Sequence, residues 1–163
     1  MSDLSGKKVE FPEFYRQTYG LSYAEEIATL KYGYAMLTIA GADGEVSVAE
    51  MNWLINHQRS INVPEEIIEA YKVFDYKNAN LEEYVPDINK CDVPFSVPRT
   101  LIFDAIQMCR ADSEFATQEQ MAVKKAAKLL GVPDDIVLAL NRLVDQEESL
   151  NAMRRALLET EKL

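Results

Sequence analysis

The chain has 163 residues, 48% of them hydrophobic and 27% charged, enough for one compact domain with a real core and too few for two ordinary ones. Its 27 acidic residues against 17 basic ones leave a formal charge of -10, which excludes a nonspecific nucleic-acid surface and disfavours anionic lipid, because both need clustered Lys and Arg. No apolar run approaches the roughly 20 residues of a membrane span, and no apolar stretch follows Lys7 and Lys8, so the chain reads as soluble, cytoplasmic and not an integral membrane protein.

In chain order, helix signals recur and strand signals are scarce. Phe11 to Gly20 reads as a short aromatic helix closed by its glycine. Ser22-Tyr-Ala-Glu25 has the pattern of a capping box and predicts a helix from there to about Gly41, with Ile27, Leu30, Tyr34 and Leu37 as its apolar stripe. Ser47-Val-Ala-Glu50 repeats the pattern before Met51, Leu54 and Ile55, and Pro64-Glu-Glu suits the first turn of the next helix. Asn80-Leu-Glu-Glu83 is a further box, cut short by Pro86, in the least regular stretch, 76–96. From Val97 a helix carries Leu101, Ala105 and Cys109 toward the core. Helices then start near Thr117, Pro133 and Asp145, the last carrying Leu150, Met153 and Leu157. The expectation is an all-α, single compact domain of roughly seven to nine short helices.

Comparison of the chain with itself shows an internal repeat. Ala42-Asp43-Gly44-Glu45-Val46 matches Ala111-Asp112-Ser113-Glu114-Phe115 at an offset of 112 - 43 = 69, and the same offset carries Val63-Pro64-Glu65-Glu66-Ile67 onto Val132-Pro133-Asp134-Asp135-Ile136. Glu50 falls on Glu119 in the same register. Two tandem copies of a helix, acidic turn, helix and Pro-started helix are too few for a solenoid and are expected to close on each other around one core. The repeat halves span roughly 23–75 and 97–145, with an irregular connector at 76–96 and a C-terminal helix at 146–160, all within a single domain 1–163.

Asp43, Glu45 and Glu50, and again Asp112, Glu114 and Glu119, are the candidate metal ligands, since a turn followed by a helix start gathers carboxylates as a hard cation requires. Two unit charges about 4 Å apart repel by roughly 4 kcal/mol at an effective dielectric near 20, so converging carboxylates need a cation, an arginine, a proton or solvent. Neither turn is an EF-hand: the position-six glycine and position-twelve glutamate are replaced by Val48 and Leu54 in one copy and by Thr117 and Val123 in the other. The competing reading is structural, with Glu50 as the N3 glutamate of the Ser47 box and Asp43 and Asp112 bonding their own turns. Glu119 keeps its place although Ala116 replaces the serine, which shifts the expected cap to Thr117 and speaks against a purely capping role.

Other residues carry less. Cys91 and Cys109 read as free thiols, Cys109 as a small buried group, and the single His57 as a half-exposed ring packed on Trp53. The aromatic set Phe11, Phe14, Tyr15, Tyr19 and Tyr23 reads as packing, and Lys124, Lys125 and Lys128 as a solvated face. No phosphate loop, Ser-His-Asp set or Cys-His pair points to an enzyme.

Ala-Asp-Gly-Glu followed by a hydroxyl residue and a glutamate, at a helix start in a duplicated all-α unit, resembles the TerB-like tellurite-resistance family, over about Tyr23 to Leu158. The resemblance implies a non-enzymatic bacterial stress-response protein whose acidic turns bind a divalent metal ion, calcium or magnesium before zinc, and which interacts with partner proteins, as the family's fusions to co-chaperone modules suggest. Its matching positions are the six carboxylates named above. Ser113 departs from the family glycine and Ala116 from its hydroxyl residue. The alternative is a helical interaction module without metal, its acidic turns serving only as caps.

Overall fold

The computed structural model describes residues 3–88, 93–112 and 115–159. At its centre lies helix α2 (Glu26–Ala40), buried over most of its surface by Ala28, Leu30, Gly33, Ala35, Met36, Leu37, Ile39 and Ala40, with a half-buried strip along Ile27, Lys31, Tyr34 and Thr38. A helix of this kind has to be wrapped. It is covered by α4 (Glu65–Lys72), α5 (Val85–Ile88), α6 (Val97–Cys109) and α7 (Thr117–Leu129), while α3 (Val48–Ser60) and α8 (Asp134–Leu158) pack on α6. Gly33 is where the wrapping is tightest: a Cβ there would lie 2.2 Å from the ring of Tyr71, whose hydroxyl donates to the Thr29 carbonyl at 2.9 Å.

The duplication is visible element by element. α6 follows α2, α7 follows α3 and α8 follows α4 at the offset of the sequence repeat, and Pro64 and Pro133 cap equivalent helices. Asn62 and Gly131, also equivalent, both turn left-handed at φ 67 and 71. Asparagine tolerates that conformation better than most residues, which explains the one non-glycine exception among the described residues. One contiguous core runs through both copies.

Three local expectations are corrected. Ser22-Tyr-Ala-Glu25 opens no helix: Tyr23–Glu25 is strand β2, antiparallel to β1 (Lys8–Glu10) with Val9 opposite Ala24, and α2 starts one residue later. The short aromatic helix forms as expected, as α1 (Glu13–Tyr19), closed by Gly20 at φ 68. No separate helix begins at Asp145, so the expected C-terminal helix 146–160 is the outer part of α8, whose residues from Asp145 to Glu159 are all exposed. The cap of α7 stays at Ala116 rather than moving to Thr117, for a reason that lies in the acidic centre.

Candidate metal centre

The first acidic turn leaves α2 through a tight single turn, Gly41–Asp43, and reverses at Gly44, whose φ of 113 suits glycine and few other residues. Asp43 Oδ1 accepts from the backbone N–H of Glu45 at 3.1 Å. Tyr76 braces the turn from outside: its ring occupies the space a Cβ on Gly41 would need, and its hydroxyl accepts from the N–H of Val46 at 3.2 Å. Ser47 then caps α3 in the expected box, its Oγ accepting from Glu50 N at 3.2 Å while Glu50 Oε2 accepts from Ser47 N at 2.7 Å.

The second copy does half of this. Ala116 has no hydroxyl to offer, yet Glu119 Oε2 accepts from Ala116 N at 2.6 Å, so the glutamate alone keeps the cap in place. This is why the cap does not move to Thr117.

Both glutamates point inward and meet. Glu50 and Glu119 are 2% and 3% exposed, and a carboxylate oxygen of each lies within 4.8 Å of the other and of Cys109 Sγ, at the end of α6. Glu50 Oε1 is buried with no hydrogen-bond partner. Two ionised carboxylates have no donor to exchange, so the pair needs a proton or a cation between its members. Glu119 is accordingly pushed up to about 8, first by burial and then by the facing Glu50 carboxyl, with Asp43 adding to the field and the Ala116 N–H opposing it. A proton on Glu119 turns the contact with Glu50 into a hydrogen bond.

Cys109 reports the same convergence. Burial pushes its thiol well above the ordinary range, and the carboxylates of Glu119, Glu50, Asp112 and Asp43, from both turns, push it further. By sequence alone Cys109 reads only as a core residue. Its place three residues before Asp112, and at the repeat position of the buried Ala40, is the signal that puts it beside the turn.

The six predicted ligands thus separate. Glu50 and Glu119 form the buried pair, and Asp43 and Asp112 are exposed, Asp43 close enough to act electrostatically on Glu119 and both on Cys109. Glu45 is exposed, with its backbone rather than its side chain engaged in the turn. Glu114 lies outside the described residues, as do Ser113 and Cys91.

No family model matches the chain, and no curated protein sequence matches it. Among solved structures, a tellurite resistance protein from Nostoc punctiforme superposes with a TM-score of 0.76 at 27% identity, over 92% of each chain. In fold the chain is similar to this tellurite resistance protein. The similarity extends over nearly all of the chain, both copies included, and agrees with the resemblance to the TerB-like family carried by the motif of the acidic turns. Among the described residues no helix is long and apolar enough to cross a membrane.

Proposed function

We propose that this TerB-like protein is a non-enzymatic, cytoplasmic protein of tellurite and related stress resistance that binds a divalent cation between its two acidic turns and acts with partner proteins. The observation that carries the reading is the buried contact of Glu50 with Glu119, where Glu50 Oε1 has no donor and the two carboxylates are held together only by a shared proton or by a cation between them. Glu50 and Glu119 supply the inner oxygens, and Asp43 and Asp112 add negative charge at the rim. Calcium or magnesium suits an oxygen set, whereas Cys109 offers a sulfur donor only to a softer ion such as zinc, which would first have to displace the thiol proton. The cytoplasmic assignment is supported by the free thiol of Cys109.

Calorimetry with calcium, magnesium, manganese and zinc tests the reading. Binding should be below millimolar for at least one ion, should release protons near pH 7 as Glu119 ionises, and should be lost in Glu50→Gln/Glu119→Gln. No binding by the wild type, or equal binding by the double variant, sinks it.

A second reading is favoured by the caps themselves. Both glutamates already use Oε2 to hold Ser47 N and Ala116 N, so a protonated pair can be purely structural in a helical interaction module. The exposed Leu150, Met153 and Leu157 on the outer part of α8 then offer a partner an apolar stripe. Under this reading the calorimetry is silent and removal of Met153 and Leu157 abolishes partner binding.

A further inference from the structure

On the side of α6 away from the acidic centre lies a cleft of 670 Å³, a size that takes a small organic molecule. Its walls are rings: Tyr19 and Phe95 meet edge to face at 5.5 Å, and Phe103 stands beside them. Its floor is polar. Asp104, 5% exposed, accepts from the Tyr32 hydroxyl at 2.7 Å, while His57 Nε2 stands 3.7 Å from the same oxygen, beyond hydrogen-bond range.

The duplication shows that the fold does not require this floor. At the offset of 69, Tyr32, His57 and Asp104 correspond to Leu101, Ala126 and Ala35, all fully buried and apolar. The same packing position is therefore built twice, once from hydrocarbon and once around a carboxylate. Asp104 sits among the buried Leu101, Ile102, Ala105 and Ile106, where an acid costs stability. Burial raises its pKa, against the pull of His57 and the Tyr32 hydroxyl, and a further donor entering the cleft would favour its ionised form.

We propose that this cleft is a ligand site, separate from the acidic turns, for a small aromatic molecule that presents an N–H donor to Asp104. Ionised in the complex, the Asp104 carboxylate accepts and cannot donate, which selects a nitrogen donor over an acid, and the rings of Tyr19, Phe95 and Phe103 take a flat apolar body. A cationic nitrogen gains further from the aromatic walls.

Trp53, the sole tryptophan, is stacked on His57 at 4.9 Å and reports on the floor by its fluorescence. Titration with 2-phenylethylamine, followed by that fluorescence and by amide chemical shifts, should saturate at least tenfold tighter than with 3-phenylpropionate. Asp104→Asn should erase the preference, and Thr100→Phe, which narrows the cleft and leaves the carboxylate in place, should weaken the amine at least tenfold. The proposal is overturned if the amine does not saturate, if the acid binds equally well, or if Thr100→Phe binds the amine like the wild type. Retention of the amine preference by a folded Asp104→Asn overturns it as well.

Discussion

The two helix starts that face each other across the acidic centre are built from the same plan with different completeness. α3 begins with a full reciprocal box, Ser47 and Glu50 each satisfying the other's backbone, whereas α7 begins with the glutamate half alone. The serine is dispensable and the glutamate is not, because the glutamate has two tasks: Oε2 holds a backbone N–H and the rest of the carboxyl faces its counterpart. A feature shared by both copies therefore belongs to the centre, and a feature present in one belongs to the local helix.

The widest test of that division is the isosteric double variant. Glu50→Gln/Glu119→Gln keeps an oxygen for each cap, so its melting temperature should match or exceed that of the wild type without cation while cation affinity falls about 100-fold, or roughly 2.8 kcal/mol at 1.4 kcal/mol per decade. Truncation should act oppositely. Glu50→Ala leaves Ser47 N without its acceptor and opens a buried gap, at a cost of about 2 kcal/mol in urea unfolding, even with no cation present.

Proton linkage comes next. Glu119 is raised when folded, so without cation the folded chain binds more protons than the unfolded one between about pH 4.5 and 8. Its contribution is fully present below the lower value and lost as pH rises through the upper one. The wild type should melt roughly 5 °C lower at pH 8.5 than at pH 5.5, and Glu119→Gln should flatten that difference. A wild type whose stability instead rises across this range would mean that the pair is not protonated. The smallest effect is the hydroxyl: Ser47→Ala should cost about 1 kcal/mol, and Ala116→Ser should recover up to about that much, neither changing cation affinity. An affinity change in either would break the division between centre and cap.

Much of the fold was legible because the repeat constrains it twice. The offset placed α6, α7 and α8, and the Ser47 box and the prolines at 64 and 133 marked true starts. What failed were patterns with no second copy to check them. Ser22-x-x-Glu25 reads as a box, but its backbone is claimed by β1, and nothing local reveals a partner strand so far back in the chain. Asp145-Gln-Glu-Glu148 reads as a helix start, yet acids on an exposed helix cost little, and Asp145 and Glu148 pair with Arg110 instead. At the centre, the sequence offers six carboxylates in two turns, the second departing from the pattern at Ser113 and Ala116; burial divides the five that are described, and burial depends on how the copies close. The trio of Tyr32, His57 and Asp104 escaped because its members lie on three helices, although an aspartate on the apolar face of α6 was a visible clue.

The two acidic turns are also moored by different forces. The first rests on the ring of Tyr76 against Gly41, a contact of shape. The second begins at Arg110, whose guanidinium reaches Asp145 and Glu148 on α8 and lies over the ring of Phe115 at 5.5 Å. Ionic strength discriminates between such moorings: pairs with half-exposed carboxylates are screened by salt, whereas a ring packed on a glycine is indifferent to it. Raising the salt concentration should therefore weaken the Arg110 pairs beside the second turn and leave the contact of Tyr76 with Gly41 at the first unchanged, so that the two halves of a nearly symmetric centre answer differently to the same change of solvent.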